Sequence, residues 1–542
     1  MNEVPKPQNS NDRKYTRRQV IEYAVFFIAG GVARSLFNNS EPSAPAQVNA
    51  APTDALLQAT PSLDAPTNTA PISSELAITV NGTKLELSQI VANVTVNPEL
   101  FLVHANKFNI LTNEHLELAR EGNFPLIFPI FQYCDYALGK QLFDDKGNLD
   151  KKLLNELKAL FDKHDVKMFL FIDGLPNKNN PKYWASGGKW TKYAEALSEV
   201  IQELGESVIG IELGSEVHEN EDSVFLLTDT KLKRKEKETE LETKQREDKI
   251  YIQYISWVKE CAKQIKKHTP EMPLWGPAYS WADLSEAGRM VQVSQELPNS
   301  LTGLTVDAYG DSPDIYVGED PKSKSVIGRI IDRVRQPRKL YGGTLKKLAS
   351  DRAFSNPNKS LPGYDVGIGG YGIAQDDRNE FFNSLIYKKG PHTVHIAEAI
   401  ISAIGVRMEN PKRRVMLAYY SFADDGILGM VTRKGKANNT YRVQSMLGQM
   451  KDEIVQSIVQ GEELSVVCTT NGDNKTPRRI AFSNASFGDQ QIEIQLGSDS
   501  ATATLTILEG ESQSITKINP QSGLYNITFT MNELTVASVA FE

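Results

Sequence analysis

The middle of the chain alternates short, continuously apolar runs with stretches that have the apolar spacing of helices. Runs of this kind are typical of strands buried on both faces, which occur in parallel sheets covered by helices. The clear runs are residues 124–131, 166–174, 207–214, 272–280, 301–310, 364–372 and 414–422. A representative helical stretch is residues 190–206, whose apolar positions are Tyr193, Leu197, Val200, Ile201 and Leu204.

The number of these units distinguishes between two α/β folds. With an eighth, less regular strand near "IVANVTV" (residues 90–96), about 350 residues hold eight β/α units, which predicts a (β/α)8 TIM barrel over residues 88–460. A doubly wound sheet is the alternative, but it would need a glycine-rich phosphate loop after an early strand, and the early runs have none.

The two flanks of this region have the pattern of antiparallel sheets. Residues 461–542 form short alternating strands separated by turn residues, which predicts a β-sandwich. Upstream, two alternating runs flank Asn81-Gly82, the dipeptide that a type I′ hairpin turn favours. We expect this hairpin, residues 75–87, to join the sandwich.

The N-terminus has the pattern of an export signal. Basic residues, among them Arg17 and Arg18, precede an apolar run at residues 23–33, which is short for a membrane span but suits a signal. The segment "TRRQVI" resembles the twin-arginine motif, although Glu22 follows it where lysine is commoner. We expect a signal or anchor over residues 1–37 and a disordered linker over residues 38–74, so the protein would be extracytoplasmic or membrane-anchored. Whether the signal is cleaved stays open.

Composition narrows the choice of partners and cofactors. The net charge of −8 argues against a broad nucleic-acid-binding face. Cys134, Cys261 and Cys468 are too sparse for a disulfide framework, and we expect reduced or buried thiols, with one bridge left open. The seven histidines do not cluster as ligands, so we expect no metal and no other cofactor. Residues 229–249, which are rich in both charges, predict a solvated helix or a loop.

Acids and aromatic residues follow the predicted strands at the end where TIM barrels carry their chemistry. Aromatic rings cover the apolar faces of sugars, and carboxylates bind hydroxyls and transfer protons, so the set predicts a carbohydrate site. The alternative is a rim of strand-end polar groups that only meet water. The residues are Asp173, Glu212, Glu216, His218, Tyr279, Trp281, Asp307, Tyr309, Tyr371, Asp424 and Asp425.

Three segments carry a resemblance to a known group of enzymes: "GIELGSE" at strand four, "HTPEMPLWGPAYS" at strand five, and "MLAYYSFADDGILGMVTRKGKANNTYRVQSMLGQM" at strand eight. From about residue 77 onward the chain resembles clan A glycoside hydrolases, especially the family 79 heparanase and β-glucuronidase-like branch and family 39. The resemblance implies a barrel with a sandwich and makes Glu216 the acid/base. Ser215 stands where the family usually has a sugar-binding asparagine.

The same resemblance raises a doubt about catalysis. In the family a glutamate ending strand seven is the nucleophile, and the alignment puts Gly370 there, within "GIGGYG". A second carboxylate would have to come from Asp376, Asp377, Glu398 or Asp307, or the enzyme would invert through water; the spacing around Glu398 predicts a helix. Two hypotheses follow: an exported glycoside hydrolase, or an inactive carbohydrate-binding or cell-surface protein. The pattern indicates neither the sugar nor the oligomeric state.

Overall fold

The structure is a computed structural model, and it describes the folded body in several stretches. These are residues 76–86, 94–185, 189–215, 223–234, 237–280, 284–310, 334–358, 360, 362–373, 390–425, 429–470, 477–496, 502–519 and 525–541. The expected signal and linker, residues 1–37 and 38–74, lie outside them. Within the described stretches, no helix combines the length and apolarity that crossing a bilayer requires.

The described chain begins with the predicted hairpin. It consists of β1 (Ala77–Val80) and β2 (Thr83–Lys84). The turn residues Asn81 and Gly82 both have positive φ, 50° and 78°, as a type I′ turn requires.

Eight parallel strands close into a barrel in the order β10-β3-β4-β5-β6-β7-β8-β9, which confirms the predicted fold class. Short strands on one side of the barrel and longer ones on the other complete the ring. The strands are β3 (Leu102–Ala105), β4 (Leu126–Phe128), β5 (Met168–Ile172), β6 (Val208–Leu213), β7 (Leu274–Ser280), β8 (Gly303–Gly310), β9 (Asp365–Ile373) and β10 (Val415–Phe422).

Helices cover the outside of the barrel. In the helical stretch at residues 190–206, all five apolar positions that the spacing marked are buried. The described helices are α1 (Asn113–Glu121), α2 (Ile130–Tyr136), α3 (Lys151–Lys163), α4 (Pro181–Trp184), α5 (Thr191–Leu204), α6 (Val224–Thr228), α7 (Glu240–His268), α8 (Leu284–Glu296), α9 (Gly343–Ser350), α10 (Pro391–Glu409) and α11 (Asn439–Gly448). A π-helical turn, Arg338–Gly342, leads into α9.

The charged segment, residues 229–249, contains the start of the longest described helix. Thr239 caps α7, since its hydroxyl accepts the Glu242 N–H while the Glu242 carboxylate accepts the Thr239 N–H. Farther along, Arg246 is buried against Glu238. Most other side chains between residues 240 and 249 are exposed, so the solvated-helix interpretation holds for this part of the segment.

The expected position of the first barrel strand was wrong. That strand is Leu102–Ala105, and residues 94–96 instead lie against the start of the C-terminal sheet. Thr95 forms an antiparallel bridge with Ile454, and the Val96 N–H donates to the Glu453 carbonyl at 2.8 Å. Val94 and Val96 are buried and Thr95 is exposed, as at the edge of a sheet, whereas a barrel strand is buried on both faces.

Large apolar side chains fill the N-terminal half of the barrel interior and form its floor. A side chain on Gly303 would overlap the Trp275 indole, so glycine here makes room for the largest floor residue. The floor residues are Leu102, Ile127, Phe169, Trp275, Met416 and Ala418. A packed floor leaves the carboxyl ends of the strands as the place for polar chemistry.

Two antiparallel sheets form the sandwich. The hairpin joins one of them, in the order β17-β14-β1-β2, and the other has the order β11-β12-β13-β18-β15-β16. Ile78 packs with Ile492 and Phe529 against side chains such as Phe482 of the second sheet. The second sheet starts at Ile454, ahead of residue 461. The strands are β11 (Ile454–Gln460), β12 (Leu464–Thr470), β13 (Pro477–Asn484), β14 (Gln490–Leu496), β15 (Ala503–Glu509), β16 (Ser512–Ile518), β17 (Tyr525–Met531) and β18 (Val536–Phe541).

Candidate active site

Glu212, near the end of β6, lies inside the barrel just above the floor. Its side chain has no exposed surface, and neither carboxyl oxygen has a hydrogen-bond partner among the described residues. The Thr305 hydroxyl accepts the Ala278 N–H at 3.1 Å and lies near enough to Glu212 to favour its ionised form. Burial raises the pKa of Glu212 to about 7, with a small opposing effect from Thr305. Glu212 therefore carries a proton below neutral pH.

Alternation along β8 directs two further groups to the same interior. Asp307 and Tyr309 lie two and four residues beyond Thr305, so they share its face. Asp307 is 6% exposed, and the Ser215 hydroxyl donates to its Oδ2 at 3.2 Å. This bond joins the end of β6, the fourth strand of the barrel, to β8, the sixth strand, across the mouth.

Two consecutive glycines on β9 form a recess opposite these acids. A Cβ on Gly369 would lie 2.7 Å from Glu212 Oε1 and 3.1 Å from Asp307 Oδ1. Glu212 Oε1 and Asp307 Oδ1 therefore lie no more than about 6 Å apart. A Cβ on Gly370 would lie 2.5 Å from the Tyr309 hydroxyl and 3.1 Å from Asp307 Oδ1.

The structure adds a histidine and a tyrosine that the sequence reasoning missed. The His104 ring contacts the Gly369 carbonyl through Nε2 and packs edge-on against Phe171, with ring centroids 5.9 Å apart. Tyr420, on β10, lies on its other side at 5.7 Å. Both residues lie two positions beyond floor residues, Leu102 and Ala418, so the two-residue period of a strand was the signal that could have found them.

Asp424 contributes to the rim between the first and last strands. Its Oδ2 accepts hydrogen bonds from Asn106 Nδ2 at 2.9 Å and from the Ser421 hydroxyl at 3.1 Å. Asp425 points outward, with more than half of its side chain exposed, and pairs with Arg433.

Two predicted sugar contacts, Tyr279 and Tyr371, lie between the barrel wall and the helices. Tyr279 packs against Tyr254 of α7, with centroids 6.4 Å apart, and Tyr371 packs against Tyr341 at 5.4 Å. The strand register shifts just before Tyr279 and just before Tyr371, and a shift reverses which face a side chain occupies. Neither residue enters the proposal below.

Of the predicted residues that remain, Asp173 lies in the described part of the chain and the others do not. Asp173 directly follows β5 and is 1% exposed. The remaining candidates lie outside the described residues; they are Glu216, His218, Trp281, Asp376 and Asp377.

Glu398 lies away from the mouth, on α10, so the helical interpretation of its surroundings is confirmed. Its Oε2 accepts a hydrogen bond from Arg338 Nε at 2.5 Å and from the Ser465 hydroxyl of β12 at 3.0 Å. Glu398 therefore links the barrel to the sandwich and cannot be the second carboxylate.

Neither thiol nor metal chemistry is evident in the described part of the chain. Cys134, Cys261 and Cys468 are buried and unbridged. Among the described residues, no three His, Cys, Asp or Glu side chains group as they would around a metal ion.

The closed barrel, together with a sandwich built from both ends of the folded body, is the fold of clan A glycoside hydrolases. The resemblance read from the strand-four, strand-five and strand-eight segments is thus confirmed at the level of the fold. The sequence itself matches no family model and no curated protein.

Solved structures give particular cases of this fold. A family 51 α-L-arabinofuranosidase from Bifidobacterium longum aligns with a TM-score of 0.55 at 11% identity, covering 87% of this chain and all of that one. The GH51 arabinofuranosidase from Xanthomonas axonopodis pv. citri gives a TM-score of 0.53 at 9% identity, with 86% and 100% covered. A family 44 xyloglucanase from Paenibacillus polymyxa gives 0.50 at 11% identity, with 86% and 99% covered. At such identities the likeness establishes the fold alone.

Proposed function

We propose that the protein is an exported glycoside hydrolase that holds a carbohydrate in the mouth of its barrel, with Glu216 as the acid/base. The observation that carries the proposal is the carboxyl pair Glu212 and Asp307, which lie within about 6 Å of each other at the catalytic end of the barrel. A fully buried carboxyl such as Glu212, whose pKa burial raises to about 7, is typical of catalytic sites when it lies in a cleft.

The remaining groups supply contacts for a sugar. Tyr309 and Tyr420 are both partly exposed at the mouth, where their rings can cover the apolar face of a sugar. Ser215 and Asp307 offer a hydroxyl and a carboxylate for sugar hydroxyls. We place Asp173, His218 and Trp281 in the same site, as contacts around the rim.

Binding without hydrolysis is the second candidate, and β9 favours it. This strand is described throughout, and its single acid, Asp365, lies at the end away from the mouth. A barrel without a nucleophile on β9 could still hold a sugar through aromatic and hydroxyl contacts.

A panel of p-nitrophenyl glycosides tests the two candidates. It comprises the β-D-glucoside, β-D-xyloside, β-D-glucuronide and α-L-arabinofuranoside, each assayed with wild type, Glu216→Gln and Glu195→Gln, an exposed position on α5. We expect turnover of at least one glycoside, lowered by about a thousandfold in Glu216→Gln only. Calorimetric binding of the corresponding free sugars without turnover would support the second candidate. Neither turnover nor binding would contradict both.

Export is a separate part of the proposal and needs a separate measurement. We expect the full chain in the extracytoplasmic or membrane fraction, and a chain with Arg17 and Arg18 both replaced by lysine to accumulate in the cytoplasm. Equal distribution of the two chains would contradict the twin-arginine interpretation.

A further inference from the structure

We infer that Asp307 is the nucleophile. It lies on β8, the sixth strand of the barrel, whereas β9, the seventh strand, lacks a carboxylate at its mouth end. This inference rests on the proposed hydrolase function and specifies how its reaction proceeds. In the register of the barrel, Asp307 pairs directly with Gly370, so the acid and the glycine are neighbours on adjacent strands.

Groups from β8 already fill the space that a side chain at position 370 would need. The Tyr309 hydroxyl and Asp307 Oδ1 both lie close to the Cβ position of Gly370, at 2.5 and 3.1 Å. A side chain there would overlap the Tyr309 hydroxyl and crowd Asp307 Oδ1, whereas glycine leaves the place to both groups. The absence of a carboxylate on β9 is thus matched by a carboxylate that reaches the same place from β8.

The surroundings of Asp307 orient its carboxylate. Ser215 donates to Oδ2, while Oδ1 lies 3.1 Å from the Cβ positions of both Gly369 and Gly370 and so faces the recess. Ser215 immediately precedes the proposed acid/base, Glu216, in the chain. The same hydrogen bond therefore ties the segment that directly follows β6 to the strand that carries the proposed nucleophile.

Glu212 is the second, independent sign that this cluster binds a ligand. It is fully buried, its oxygens have no hydrogen-bond partner among the described residues, and Oε1 lies beside the Gly369 recess. A buried polar group without a partner is costly, so it is retained where it acts.

The reaction balances as a double displacement. The Asp307 carboxylate forms a bond to the anomeric carbon as the bond to the leaving oxygen breaks, and the proton of Glu216 goes to that oxygen. Water then attacks the same carbon, Glu216 takes its proton, and the ester to Asp307 breaks. The net result is hydrolysis with retention of configuration.

Covalent trapping tests the assignment. The glycoside that wild type cleaves would be made as the 2,4-dinitrophenyl 2-deoxy-2-fluoro derivative, and the labelled protein digested and mapped by mass spectrometry. We expect one fluoroglycosyl group per chain, on Asp307. Asp307→Ala should lose about 10⁴-fold in turnover and recover part of it with sodium azide, which yields a glycosyl azide. Asp165→Asn, an exposed acid before β5, is the control and should behave as wild type.

Several results would overturn the assignment while leaving the proposed function intact. They are a label on any other residue, Tyr309 included, inversion of configuration by proton NMR, and an Asp307→Ala variant that retains turnover. Circular dichroism and calorimetric sugar binding show that a variant without turnover is folded. Absence of both turnover and label in wild type would refute the assignment together with the hydrolase proposal.

Discussion

The two ends of the barrel treat their buried acids differently. At the N-terminal end, Arg414 Nε lies 3.0 Å from Asp365 and its Nη1 lies 3.3 Å from Glu99, while Asn97 donates to Glu99 at 2.8 Å. At the mouth, Glu212 is equally buried but has no such partner among the described residues. Paired acids at the closed end serve the fold, whereas a buried acid without a partner costs stability, as the proposed active site would require.

The largest expected effect concerns Glu212 and pH. Its pKa rises from 4.5 to about 7 on folding, so between these values the unfolded chain has released the proton and the folded chain keeps it. The contribution of Glu212 to the free energy of unfolding therefore falls by about 3 kcal/mol as pH rises from 4.5 to 7, and is constant above.

Urea denaturation of wild type and Glu212→Gln at several pH values measures this contribution, since glutamine does not titrate. The stability of wild type relative to the variant should decrease across that range. A difference that stays constant from pH 4.5 to 8 would show that Glu212 is not held protonated.

A smaller effect is expected at the closed end. Replacing Arg414 by methionine leaves Asp365 and Glu99 without their cation and should lower the free energy of unfolding by about 2 kcal/mol, less than for a fully buried pair because the Arg414 side chain is 31% exposed. Arg433→Met breaks an exposed pair with Asp425 and should cost under about 0.5 kcal/mol. Equal losses in these two variants would remove the contrast between the two ends.

The smallest effect expected at the proposed site concerns the hydrogen bond from Ser215 to Asp307. Ser215→Ala should raise the activation free energy by about 1 kcal/mol, a fivefold to tenfold loss in kcat/KM. Ser198→Ala is the matched control, because that buried hydroxyl also donates over 3.2 Å, to the Gln264 carbonyl on the outer helices. Kinetic losses of similar size in the two variants would mean that Ser215 acts through stability alone.

Much of the architecture followed from the pattern of apolar residues, because burial on both faces gives a strand a recognisable continuous run. The first strand was not predicted, because "LVHA" is short and includes His104. The more regular run was preferred, but its described residues, 94–96, lie beside the sandwich.

The site was predictable only in part. Asp307 and Tyr309 come together because regular alternation along β8 places them, whereas Ser215 reaches Asp307 from beyond the end of β6. Tyr279 and Tyr371 do not join them, because a register shift precedes each and turns the side chain outward. Shifts of this kind depend on contacts with neighbouring strands, which a single sequence does not display.

The pairing of β1 with β14 also bears on how the chain folds during synthesis. Asn81 and Gln490, which hydrogen-bond across these strands, are 409 residues apart in sequence. The hairpin therefore leaves the ribosome long before its partner, and its open edge remains unsatisfied throughout translation of the barrel. The sandwich can close only after the last part of the chain has been synthesised. A nascent chain stalled before residue 490 would therefore expose an unpaired strand with which another chain could pair.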